Sequence, residues 1–198
     1  CVPKDDAVVL YNVKIINKRG DNRLIDGYFC INPTPALSWH DAYGVADNDE
    51  SLNGLLYRHD GFALPNDFTK VFVGCDKKYD AYDLSPAEFK GVYNGYENPT
   101  ALKNEKLSCT GATFEAEYVA AFQFSDIFSK GNEFEATFCA FAARNVEEIK
   151  SLKKKYLEDT TFGGELDKVR KENESEYNVF ELNSPDIYLN SQTNIWLK

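Results

Sequence analysis

The chain has 198 residues, 43% of them hydrophobic, with 14 Phe, 12 Tyr and 2 Trp. That is too apolar and aromatic for a disordered chain, and long enough to bury roughly 70% of its unfolded surface. Lys and Arg number 22 against 32 Asp and Glu, a net charge of -10. This charge repels phosphate backbones and anionic lipid, and no apolar run approaches the eighteen or so residues of a membrane helix. Nucleic-acid binding and membrane insertion are therefore not expected. The basic run Lys153-Lys154-Lys155 falls on a predicted helix and reads as its solvated face.

Residues 7–17, "AVVLYNVKIIN", and 23–31, "RLIDGYFCI", are β-branched and aromatic, and predict two strands joined as a hairpin. The joining stretch contains Arg19-Gly20-Asp21, a tripeptide that grips integrins when mounted on an exposed loop. Its composition is equally that of an ordinary turn. Residues 32–68 are dense in Pro, Gly, Asp and Asn and read as irregular. Within them Asp47, Asp49, Ser51 and Asn53 alternate like the start of a calcium loop. Leu52 stands where such a loop needs glycine, and Arg58 where it needs a bidentate glutamate, so no metal is assigned. "KVFVGC", Lys70 to Cys75, predicts a short strand. Ser85-Pro86-Ala87-Glu88 reads as a helix start, with a capping residue, proline in the first turn and glutamate three positions on.

The clearest periodicity follows. Phe114, Ala116, Tyr118, Ala120, Phe122 and Phe124 alternate with more polar neighbours, and Phe134, Ala136, Phe138, Ala140 and Ala142 do so again. Period two predicts strands with one buried face, and the short connection predicts a long antiparallel hairpin over about 112–143. Val146, Ile149, Leu152 and Tyr156 then recur at helical spacing behind Asn145, predicting an amphipathic helix over about 145–158 packed on that hairpin. A weaker helix follows over 165–174, and "EYNVFELN" and "DIYLNSQTNIWLK" read as two closing strands. The fold class is α+β, predominantly antiparallel sheet. Residues 1–198 form a single domain, with a subdivision at 1–75 and 76–198 as the alternative.

Cysteine usage sets the expected compartment. Cys30, Cys75, Cys109 and Cys139 are spread through β-prone runs without a C-x-x-C pair, and the chain has no Met. This argues against a zinc or thioredoxin-type centre and predicts two disulfides, Cys30–Cys75 and Cys109–Cys139, in a secreted protein whose signal peptide has been removed. Cys1 is left over, to pair between chains, stay free or carry lipid. Asn173-Glu174-Ser175 is a glycosylation sequon.

The two histidines, His40 and His59, each precede an aspartate, and Arg58 lies beside one of them. Two imidazoles and a cation permit acid–base hydrolysis of the phosphodiesterase or ribonuclease kind if they converge. P-loop, dinucleotide-binding, zincin and nucleophile-elbow signatures are absent. These features together predict a secreted recognition protein without catalytic activity, an extracellular module or pathogen effector. Its partner would be a protein or cell-surface receptor, and no cofactor is implied. The secreted hydrolase is the first alternative, and a carrier of a small apolar ligand is the second.

Overall fold

The β-branched and aromatic runs do form strands, and they assemble into two sheets. The computed structural model of the protein describes residues 1–19, 21–33, 44–59, 70–115, 117–125, 127–128, 133–177 and 182–196. Nine strands are seen among them: β1 Val8–Ile16, β2 Gly27–Ile31, β3 Gly44–Asp49, β4 Gly54–His59, β5 Lys70–Cys75, β6 Ala81–Asp83, β7 Ala112–Glu115, β8 Ala120–Phe124 and β9 Glu133–Ala143. One sheet has the order β1-β9-β5-β4-β3-β7 and the other β2-β8-β6. All pairings are antiparallel. Strands from both sides of position 75 mix, with β9 lying between β1 and β5.

The sheets pack face to face. Leu55, Tyr57, Val73, Cys75, Ala136 and Phe138 come from the larger sheet, and Ala120, Phe122 and Phe124 from the smaller. Phe29 of β2 stacks on Phe138 of β9 with ring centroids 3.7 Å apart, and Phe124 meets Phe134 at 5.3 Å. The other face of the larger sheet buries Leu10, Phe72, Cys139 and Phe141 beneath Ile149 and Tyr156. The last two come from α2, Val146–Lys153, and its continuation as a π-helical turn, Lys154–Glu158. Asn145 caps α2 by accepting from the Glu148 amide, and the Glu148 carboxylate accepts from the Arg144 amide, satisfying donors that helix geometry leaves unpaired. The outer face of the smaller sheet carries α1, Pro86–Lys90, and a 3-10 turn, Thr100–Lys103. Beyond α2 lie α3, Phe162–Tyr177, and α4, Ile187–Ser191. No helix among the described residues is long and apolar enough to cross a membrane.

Several expectations are corrected. β1 and β2 do not form a hairpin, because β1 pairs with β9 and β2 with β8. Nor do β8 and β9: they belong to opposite sheets, and their alternating apolar faces meet across the sandwich instead of lying edge to edge. The irregular span at 32–68 holds a hairpin, β3–β4. Its turn is closed by the Asp49 carboxylate, which accepts from the amides of Ser51 and Leu52, and by Asn53 at φ 48. The oxygen-rich spacing that resembled half a calcium loop is thus turn chemistry. The second closing strand is a helix, where the Asp186 carboxylate accepts from the amides of Tyr188 and Leu189.

The predicted disulfides are also overturned, since all five cysteines are free. Successive residues on a strand face opposite ways, and this separates the thiols. Cys75 lies between the sheets, Cys139 faces the helix side of the larger sheet, and Cys30 lies on the outer face of the smaller one. Cys109 is exposed on a loop at φ 57. Burial raises the thiol pKa of Cys139 to about 12, which keeps it protonated and unreactive. Alkylation of the unreduced, denatured protein is accordingly expected to tag all five thiols, read by intact mass; a mass short by two adducts would show a disulfide.

Two features of the larger sheet are open to mutation. The Phe72 ring lies over the paired residues Gly54 and Gly74, where an added Cβ would overlap it. Gly74→Ala is expected to cost about 1–3 kcal/mol in denaturant unfolding, through displacement of that ring. The Asp6 carboxylate accepts from Lys155 Nζ at 2.6 Å and Tyr156 Oη at 2.7 Å, tying the N-terminal segment to the helix. Hydrogen bonds from Lys155 and then Tyr156 hold its pKa below 3.8. The stabilisation is therefore complete above the unfolded pKa and is lost as pH falls through the lower folded value. Asp6→Asn is expected to cost about 1 kcal/mol at neutral pH and to flatten the acid limb of a Tm-against-pH curve; an unchanged limb would remove Asp6 from the account.

Candidate functional site

Arg19 and Asp21 sit at a turn after β1, with Gly20 outside the described residues. Asn17 organises that turn, accepting from the Arg19 amide at 3.0 Å and donating to the Asp21 carbonyl at 2.6 Å. The Asp21 carboxylate accepts from Arg23 Nε at 3.1 Å. His40 lies outside the described residues; His59 ends β4, its backbone opposite Gly44. Arg58 forms an ion pair with Asp47 of the neighbouring strand. Asn173 is exposed on α3.

Among the clefts that the described residues form, two are developed binding-site candidates, and sequence reasoning found neither. The first, about 380 Å³, opens between β9 and the end of the α2 segment, with Asn12, Asp76, Glu135, Thr137, Tyr156 and Thr160 among its walls. Its polar groups are already joined. The Asn12 amide donates to Glu135 Oε1 and Thr137 Oγ1, both at 3.2 Å. The Thr137 amide donates to Asp76 Oδ1 at 2.9 Å, and Asp6 fixes the Tyr156 hydroxyl. These bonds orient a polar wall able to exchange hydrogen bonds with a hydroxylated ligand.

The second cleft, about 450 Å³, lies on the outer face of the smaller sheet and is lined by Tyr28, Cys30, Asn32, Phe89, Tyr96 and Leu102 among others. Its residues Tyr28, Cys30 and Phe89 pack with a buried cluster of Ala81, Ala101, Leu107, Val119 and Ala121. Gln123, 1% exposed, is the hidden support. It accepts from the Leu107 amide at 2.9 Å and donates to the Glu105 carbonyl at 2.9 Å and the Tyr28 hydroxyl at 3.2 Å. The Tyr96 ring is set by Lys90, whose Nζ stands 5.1 Å from its centroid, and by the Asn32 amide 3.5 Å from its hydroxyl. Gln123 stood on the polar side of the strand alternation, and the sequence held no sign that this side was covered too.

Asp83 is the described carboxylic acid whose pKa is raised, by burial first, with hydrogen bonds from Ser108 opposing. It is 1% exposed and accepts from both the amide and the hydroxyl of Ser108. It holds the loop before Cys109 and does not face either cleft.

Residues 1–159 match the family described as the glycosyl hydrolase 94 supersandwich domain, and the chain belongs to that family. It is also similar to the 3-O-beta-D-glucopyranosyl-beta-D-glucuronide phosphorylase of Paenibacillus borealis, at 32% identity over 129 residues. That alignment covers 65% of this chain and 16% of the relative, so the chain spans about a sixth of that enzyme's length. These matches overturn the expectation of a non-catalytic recognition protein or effector.

Proposed function

We propose that this member of the glycosyl hydrolase 94 supersandwich family is the β-sandwich part of a glycoside phosphorylase acting on a β-glucosyl substrate. The match over residues 1–159 carries the reading; the two clefts, one polar and one aromatic, agree with it. In phosphorolysis an oxygen of inorganic phosphate bonds to the anomeric carbon while the bond from that carbon to the leaving oxygen breaks. A proton passes to the leaving oxygen, and the products are a glucosyl phosphate and the shortened acceptor. Protonating the leaving oxygen requires an accessible acid. Asp83 is sealed under Ser108, so its part is structural, and the acid belongs to another residue of the enzyme.

The reading is tested on the polypeptide that carries this chain, incubated with inorganic phosphate and a β-1,3-linked glucosyl glucuronide. Glucose 1-phosphate is expected to accumulate in step with phosphate consumed. Release of free glucose at the same rate in phosphate-free buffer would make the enzyme a hydrolase instead, and no cleavage of any β-glucosyl disaccharide would overturn the reading entirely.

A further inference from the structure

We propose that the aromatic cleft between β2, α1 and the 3-10 turn is a carbohydrate subsite that takes one β-glucosyl ring on Tyr96. The ligand class rests on the carbohydrate-active reading above, while the place rests on the cleft itself. A β-glucosyl ring carries its hydroxyls equatorially, so each face is a layer of axial C–H groups and the rim is polar. Such a ligand needs a flat apolar surface with hydrogen-bonding groups at its edge.

The cleft supplies both. Tyr96 is 40% exposed and Leu102 48% exposed, while Phe89, 3% exposed, backs the wall with its ring centroid 6.4 Å from that of Tyr96. Asn32 and the hydroxyl-bearing Tyr28 and Tyr96 are among the cleft's lining, while the Lys90 ammonium, over the Tyr96 ring, pairs with Glu117 at 3.5 Å. The volume of about 450 Å³ falls within the roughly 300–1,000 Å³ of small-molecule sites. The surface is also preorganised. Lys90 and Asn32 hold Tyr96 from two directions, and Gln123 holds Tyr28 from beneath, so little side-chain freedom is lost on binding. Tyr96 is thus fixed in place while 40% of it stays open to solvent. The Asn32 amide and the two tyrosine hydroxyls suit sugar hydroxyls better than an aliphatic ligand, which would leave them without a polar partner in the cleft.

Calorimetric titration of the chain with β-1,3-glucobiose tests the assignment. The unmodified protein is expected to bind saturably, and Tyr96→Ala to weaken binding about tenfold. Tyr96→Phe, which keeps the ring, is expected to lose only about two- to threefold, and Tyr188→Ala on α4 is expected to change nothing. Equal affinity of the unmodified and Tyr96→Ala proteins, absence of saturable binding, or a chain that associates with itself through this face would each overturn the subsite. These readouts need no turnover. Binding without phosphorolysis would leave the subsite standing while the activity reading falls, and phosphorolysis without binding would do the reverse.

Discussion

The contact between two sheets of unequal width governs the rest of the structure. Phe29, Phe122 and Phe124 from the narrow sheet interleave with Phe134 and Phe138 from the wide one, with several ring centroids within 6 Å. Each buried phenylalanine contributes about 1.5–3 kcal/mol from area alone, and tilted or offset rings add to that. This layer joins the inner faces, and the apolar residues on the outer faces must be covered by something else. The wide sheet is covered by α2 through Ile149 and Tyr156. Among the described residues the narrow one is covered by a short helix, a 3-10 turn and the loops around them, and there a cleft remains.

The sequence shows strands far better than neighbours. Alternation at Ala120, Phe122 and Phe124, and again at Phe134, Ala136 and Phe138, identified a buried face on each, and both faces are buried. What period two cannot say is whether that face looks across a sandwich or whether the strand edges pair with each other. A short connection between two strands favours the hairpin, and here it leads to the wrong topology. The asparagine cap and spacing of α2 were readable because capping and helical periodicity are local. The strand at 186–198 was misread for a related reason. Its apolar residues carry β propensity, but Asp186 supplies an N-cap that outweighs it, and propensity is a weak prior against a satisfied helix end.

The cysteines misled through the same ambiguity of faces. Gly74 pairs with Cys139 and Cys75 pairs with Phe138, so Cys75 and Cys139 are near neighbours along adjacent strands yet project from opposite sides of the sheet. Spread thiols in β-prone runs signal disulfides only if they share a face, and sequence spacing does not report that across strands distant in the chain. The thiols at Cys75 and Cys139 serve instead as small apolar fillers in two separate cores.

The binding chemistry was illegible for a deeper reason. The aromatic cleft draws Tyr28 from β2, Phe89 from α1, Tyr96 from a loop and Leu102 from the 3-10 turn, positions spread over more than seventy residues of chain, with no motif linking them. Its support comes from Gln123, a side chain that pattern reading assigned to solvent. A glutamine buried to 1% exposure is costly unless every hydrogen-bonding atom is used. Here its carbonyl and amide fasten the loop at Glu105 and Leu107 and the Tyr28 that lines the cleft. Such a residue does the work of positioning without touching a ligand. The same logic separates Asp83, a buried acid satisfied by Ser108, from a proton donor. In this fold the buried polar groups build surfaces, and recognition falls to the half-exposed rings and amides that those groups hold in place.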